Sequence, residues 1–204
     1  MRDVRALSED DVPHRLVLAF LYELPAGKGR RWLSDASGAH GKLLQGLLGG
    51  WRVAGIYDYV SGRPLQITQS SQTTGLGLNQ RPSVAGSYRR VDDVRKAVGL
   101  PGQTAALYVS REAFAVTPPY TLGTAPFRMP NLRGPSRQPW DLSLMKSFPL
   151  GERARLQLRV EAQNAFNQVF FADPDTNIQS AAFGTIASTQ TDPRLLQIGA
   201  RIDW

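Results

Sequence analysis

The side chains able to do chemistry are few and scattered. The sequence holds two histidines, His14 and His40, and no cysteine. That excludes thiol nucleophiles, zinc–thiolate centres, iron–sulfur clusters and disulfide scaffolds. With two histidines, a metal site built from several is not expected. His14 stands beside Arg15 and near Asp11, but no third group completes a nucleophile–base–orienter set. Asp173, Asp175 and Asn177 place oxygen ligands at alternating spacing, which suits a hard cation. The glycine and the distal bidentate glutamate of a calcium loop do not follow, and Asp-Pro with Asn reads as a turn. Asp92-Asp93 reads as a solvated turn or a helix start. Gly75-Leu-Gly77 lacks the Lys-Ser/Thr that a phosphate loop needs. We therefore expect no catalytic residue, no cofactor and no metal, and a protein that is not an enzyme.

Charge is the other chemical signal. Lys and Arg number 24 against 17 Asp and Glu, a net charge of +7. The basic residues are dispersed: Arg30-Arg31 and Arg89-Arg90 lie in connections, Arg155 and Arg159 within a periodic segment. No nucleic-acid module gathers them, so a nucleic-acid partner is not expected.

Periodicity shows which elements carry these residues. From Leu196 to Trp204, the apolar Leu196, Ile198, Ala200, Ile202 and Trp204 alternate with Gln197, Gly199, Arg201 and Asp203. Period two makes a strand with one apolar and one polar face. Arg155–Gln163 repeats it: Leu156, Leu158, Val160 and Ala162 oppose Arg155, Gln157, Arg159, Glu161 and Gln163. Trp140–Phe148 sets Leu142 and Leu144 against Asp141, Ser143 and Ser147, but Lys146 shares the leucine parity. Trp51–Tyr59 sets Trp51, Val53, Tyr57 and Tyr59 against Arg52, Ala54 and Asp58. His14–Tyr22 places Leu16, Leu18, Phe20 and Tyr22 on one parity, with further apolar residues on the other.

The connections are unequal. Pro149-Leu-Gly-Glu152 is a tight turn. Leu24–Gly50 is longer and contains Lys42–Leu48, a short amphipathic helix suited to an interface. Thr68–Pro139 and Gln168–Pro193 are long, far beyond the usual loop of about 4–6 residues. Val91–Val98 is expected to form a helical turn or two. Short turns on one side and long loops on the other are how outer-membrane barrels are built. Trp204 and Phe148 end strands on one side and Trp140 and Phe166 mark the opposite ends, as interfacial aromatics do. The longest apolar run, Leu16–Tyr22, has about seven residues where a spanning helix needs about twenty. Two architectures satisfy this pattern: an antiparallel up-and-down transmembrane barrel, or a soluble β-sandwich binding module.

Several blocks also resemble a family. Asp11-Val-Pro-His-Arg15, Tyr22-Glu-Leu-Pro25, Leu47-Leu-Gly-Gly-Trp51, Ser61-Gly-Arg-Pro64 and Asn131-Leu-Arg-Gly134 come in order. Asp141–Leu144, Phe148–Glu152, Glu161-Ala-Gln-Asn-Ala-Phe-Asn167, Phe183-Gly184 and Asp192-Pro-Arg194 follow. Together they resemble the C-terminal end of the barrel in Oar-like TonB-dependent receptors of Acidobacteria and related bacteria. The resemblance implies a 22-stranded outer-membrane barrel with a plug, driven through an inner-membrane complex. It implies an all-β C-terminal fragment of about five strands spanning 1–204, with two long extracellular loops. The charged N-terminus has no signal peptide, and a regulatory-like domain, plug and TonB box are expected to belong to a longer product.

The expected roles follow. Arg155, Gln157, Arg159, Glu161, Gln163, Gln197, Arg201 and Asp203 face the lumen; Leu156, Leu158, Val160, Leu196, Ile198 and Ile202 face lipid. Charges on a lipid face cost about 2–4 kcal/mol at mid-depth, which fits their confinement to one parity. Ala200, Ile202 and Trp204 resemble the terminal signal read by the barrel assembly machinery. The other expected partners are outer-membrane lipid and lipopolysaccharide, the remaining strands and plug, and the TonB complex through an N-terminal region.

Overall fold

The computed structural model describes residues 7–27, 29–32, 38–71, 80–99, 104–151 and 153–204. Gly75–Gly77 and Glu152 lie outside them. The described residues fall into two compact units, one drawn from 1–15, 60–137 and 169–191, the other from 16–59, 138–168 and 192–204.

The second unit is one antiparallel sheet. Its strands are β1 (Arg15–Glu23), β2 (Trp51–Val60), β5 (Trp140–Pro149), β6 (Arg155–Gln163) and β7 (Leu195–Asp203), in that spatial order. Each periodic segment of the sequence became one strand, with ends within about a residue of those expected. Trp204 lies just past β7. The turn from β5 to β6 closes through Leu150 N–H donating to Ala154 O at 2.8 Å. Gly151 there has φ +100°, a region that favours glycine.

Between β1 and β2 runs helix α1 (Gly38–Leu48). It begins four residues before the stretch Lys42–Leu48 read from the sequence. Gly50, at φ +73°, turns the chain from it into β2, and a Cβ there would meet Ser147 O at 2.6 Å.

Among the described residues the only other sheet is the two-stranded ladder of β3 (Ser83–Val84) and β4 (Phe114–Ala115). All nine residues of β1 and all nine of β7 are exposed, apolar ones included. A soluble sandwich would bury one face of each strand, so that alternative is not the observed architecture.

The first unit holds what the sequence presents as loops. Its core is Leu65, Ile67, Tyr108, Val109, Phe114, Ala125, Met129, Leu132, Ile178, Phe183 and Ile186 with a few neighbours. The expected helical turn within Val91–Val98 is a 3₁₀ turn, Val94–Ala97, and Asp93 caps it by accepting from Arg95 N at 3.0 Å. The second acid of that pair, Asp92, meets Arg89 at 2.9 Å. Both acids thus serve local structure.

Candidate functional site

The sheet's chemistry lies in how its two faces are sorted. Antiparallel pairing puts partnered residues on the same face, so the register tests the parity of every strand at once. Across β6 and β7, Leu156 pairs with Ile202, Leu158 with Ala200, Val160 with Ile198 and Ala162 with Leu196. Alternating with them, Arg155 pairs with Asp203, Gln157 with Arg201, Arg159 with Gly199 and Glu161 with Gln197. The pattern carries into β5, where Leu142 meets Ala162 and Leu144 meets Val160, while Ser143 meets Glu161 and Ser147 meets Gln157. It carries on into β2, with Val53 against Leu144 and Tyr57 against Trp140. Gln163 pairs with Leu195, which puts one leucine on the polar face at the sheet's end.

Two contacts fix β1, whose own alternation leaves its facing open. The ring of Phe20 lies over Gly55, where a Cβ would come within 2.5 Å of Phe20 Cε1. Glu23 bonds the Arg52 Nε at 2.9 Å. Phe20 therefore shares the apolar face and Glu23 the polar one, which carries Leu16, Leu18 and Tyr22 to the apolar side.

On the polar face the charges neutralise one another along their strands. Arg159 pairs with Glu161, and Arg201 Nε meets Asp203 Oδ1 at 2.6 Å. These side chains are largely exposed, so the pairs are worth about 0–1 kcal/mol each and serve mainly to keep the face wet and balanced. On the apolar face Ile198 is 79% exposed and Leu196 60%. None of the described residues covers them.

Lys146 breaks the parity and the structure explains why. It sits on the apolar face between Trp51 and Leu158 in register, yet is only 5% exposed. Its Nζ donates to Leu47 O at 2.9 Å and Gly49 O at 2.6 Å, and lies 4.7 Å from the Trp51 ring centre. The ammonium thus closes carbonyls at the end of α1, which a helix leaves open.

Rings gather at both strand ends. Trp140 lies 4.7 Å from Tyr57 and 6.3 Å, edge to face, from Phe166. Trp51 and Phe148 flank Lys146 at the other end, where Trp204 stands 94% exposed.

The blocks quoted above as resemblances build the junctions of the loop unit. Gly62 and Gly134 touch backbone to backbone: a Cβ on Gly62 would lie 1.9 Å from Gly134 O. Gly134 N donates to Arg63 O at 3.0 Å, and Leu65 N to Leu132 O at 2.9 Å. Arg133 ties down Asp11 through both its carboxylate and its carbonyl. Glu9 pairs with Arg128 at 2.8 Å. Tyr108, fully buried, donates its hydroxyl to Arg133 O at 2.6 Å. Asn164 and Asn167 turn the end of β6 at φ 47° and 51°, and Asn167 Oδ1 accepts from Arg194 N.

A pocket of about 550 Å³ opens in this unit, lined among others by Arg15, Ser61, Arg63, Arg137, Asp173 and Gln190. Asp173 packs on the Gly134 backbone, and desolvation raises its carboxyl above the ordinary range while Arg63 and Arg128 oppose the shift. Asp175 and Asn177 spend side-chain oxygens on turns, accepting from Asn177 N and Gln179 N. The expected turn is what they form. His14 is exposed, and its backbone N–H donates to Ser61 Oγ at 3.2 Å.

A family model described as an outer membrane beta barrel domain matches residues 1–197. The chain belongs to that family. An outer-membrane barrel explains why a sheet with an open apolar face and a charged opposite face needs no second layer, and it places the protein in the bacterial outer membrane. The five strands of this outer-membrane barrel do not close on themselves. No curated protein and no solved structure matches the chain.

Sequence reasoning missed the loop pocket and the seat of α1. The pocket's arginines are visible in the sequence only as dispersed charges. The one signal for the seat of α1, as distinct from the helix itself, was Lys146, a cation on the wrong parity.

Proposed function

We propose that the chain is the C-terminal barrel portion of an Oar-like TonB-dependent receptor that takes up a ligand across the outer membrane. The observation that carries this reading is the sorting of faces through consecutive ladders from β2 to β7. In this reading Arg155, Gln157, Arg159, Glu161, Gln163, Gln197, Arg201 and Asp203 line the lumen. Leu156, Leu158, Val160, Leu196, Ile198 and Ile202 meet lipid. The remaining strands pair with the open edges of β1 and β7, because an unpaired edge has no water to satisfy it in a bilayer. A plug packs against the polar face, and the TonB complex energises it from the periplasm. No catalytic step is assigned to any residue.

The segments 61–139 and 164–194 leave the same ends of their strands, and the Pro149–Gly151 turn leaves the other. Loop-length asymmetry places the first pair outside the cell, where their arginines meet lipopolysaccharide, and the turn and Trp204 in the periplasm. These 204 residues hold no cysteine, so single cysteines placed in them report sidedness once any others in the full-length protein are replaced. In the full-length protein on intact cells, Leu122→Cys should react with an impermeant maleimide and Gly151→Cys should not. Equal labelling refutes the sidedness. For transport, cells lacking the energising complex should keep the receptor but lose uptake of any radiolabelled nutrient whose accumulation depends on this gene. Uptake that persists without that complex refutes the TonB dependence.

A further inference from the structure

Helix α1 is seated the wrong way round for a helix in water. Its buried positions are Gly41 and, just past its end, Gly49; Gln45 between them is half-buried. A Cβ on Gly49 would lie 3.1 Å from the Gly27 Cα and 3.3 Å from Ala26 O, so backbone rests directly on backbone there. The leucines point away: Leu43 is 62% exposed, Leu44 45%, Leu47 61% and Leu48 49%. At about 100° per residue these four leucines share one arc of the helix, and the buried glycine side lies on another.

Three hydrogen bonds from two donors hold that orientation. Lys146 Nζ reaches Leu47 O and Gly49 O, and Trp51 Nε1 donates to Leu47 O at 2.7 Å. In water an exposed helix end would find these partners in solvent. Here a lysine has been moved to the sheet's apolar face and buried to supply them, which is the arrangement a water-poor surrounding requires. The leucine arc is also continuous with the sheet's apolar face. Leu48 lines a crevice of about 530 Å³ together with Leu24, Trp32, Trp51, Val53 and Leu144. Trp51, Val53 and Leu144 belong to the face that pairs with Leu158 and Val160.

We infer that α1 is an interfacial helix seated in a phospholipid leaflet, its leucines among the acyl chains and its end locked to β5 by Lys146. A helix of this kind lies in the plane of the membrane with its apolar side about 5–10 Å into the headgroup–acyl boundary. The crevice that Leu48 helps to line is open and almost wholly apolar, as a surface against acyl chains must be. The inference rests on the lipid-facing assignment of the apolar sheet face and on the periplasmic placement of the end that carries the Pro149–Gly151 turn, and is independent of ligand.

The test is spin labelling of single cysteines in the full-length protein reconstituted in phosphatidylethanolamine–phosphatidylglycerol vesicles. Labels go at Leu43 and Leu47, with Leu158 as the lipid-face reference and Arg159 as the polar-face reference. Leu43 and Leu47 are exposed, so the labels displace no packing, and only protein with heat-modifiable gel mobility is read. Relaxation by oxygen should exceed relaxation by a water-soluble nickel chelate several-fold at Leu43, Leu47 and Leu158, with the reverse at Arg159. Nickel-dominated relaxation at Leu43 and Leu47 with oxygen dominance at Leu158 overturns the helix inference and leaves the sheet assignment standing. Nickel dominance at Leu158 overturns both. Low accessibility to both reagents at Leu43 and Leu47 means protein covers the helix, and overturns the inference. Lys146→Met should sharpen the Leu43 line shape as the helix end loosens. An unchanged line shape removes Lys146 as the lock.

Discussion

Replacing Ile198 by arginine should destabilise the folded barrel strongly, and replacing its neighbour Gln197 should not. β7 has nine residues, which at about 3.4 Å each and a tilt near 45° climb roughly 20 Å. Ile198 is one residue from the strand's midpoint, Gly199, so it lies within about 3 Å of mid-depth. It pairs with Val160 on the apolar face and is 79% exposed, so arginine there displaces lipid and little protein packing. The cost for a lipid-facing arginine at that depth is about 2–4 kcal/mol. That is roughly a 30- to 1,000-fold fall in the folding equilibrium constant. Gln197 pairs with Glu161 on the polar face, where a new arginine gains a carboxylate partner. The assay is urea titration of the full-length receptor in phospholipid vesicles, followed by tryptophan fluorescence and heat-modifiable mobility. Equal losses for the two variants, or a larger loss for Gln197→Arg, would refute the assignment of faces.

Other outcomes are expected on the same grounds. Gly62→Ala should cost the loop unit about 1–3 kcal/mol, since its Cβ would fall 1.9 Å from the Gly134 carbonyl and backbone must shift; resistance to limited proteolysis equal to wild type would count against it. The raised carboxyl of Asp173 means the folded state holds that proton more tightly than the unfolded chain, whose value is near 3.8. Its contribution is favourable below that value and is lost as pH rises through it towards the folded value. Asp173→Asn should therefore leave the loop unit as stable or more stable at pH 7 and flatten its pH dependence above 3.8, where the folded carboxyl still holds its proton, read by thermal melts from acid to neutral pH; a destabilised variant at pH 7 would show that the charge itself is needed. Deleting Trp204 should lower outer-membrane levels sharply if the terminal strand is read by the assembly machinery, through backbone pairing and alternate side chains. Unchanged levels would leave Trp204 as an interfacial anchor only.

The strands were legible because period two is imposed by the pleat and survives any packing partner. β6, Arg155–Gln163, coincides with the alternating segment, and β7 differs from its segment only at the ends. β1 was less legible, because Val17, Ala19 and Leu21 sit on the polar-face parity; Gly55 and Arg52, some thirty residues away, decide its facing. Lys146 read as a flaw in β5, since the carbonyls it serves belong to a helix about a hundred residues earlier in the chain. The loop core was not legible at all. Ile67, Tyr108, Met129 and Phe183 are all fully buried, but they come from short irregular segments without a common period. Gly62 and Gly134 carried the same limitation: the sequence shows two glycines, and only the fold shows that they touch.

The pairing beyond β2 bears on the order in which the sheet assembles. β5, β6 and β7 are joined by segments that bring neighbours together early, but β2 must find β5 across roughly eighty residues. The intervening chain is zipped from its base: Val60 bridges Arg137, Pro64 bridges Arg133 and Leu65 binds Leu132. If these contacts form first, the search for the β2–β5 ladder shrinks from roughly eighty residues to a few, worth about 2–3 kcal/mol of closure entropy. Contacts within a connecting segment then decide how far a strand must search for its partner before the bilayer receives the pair.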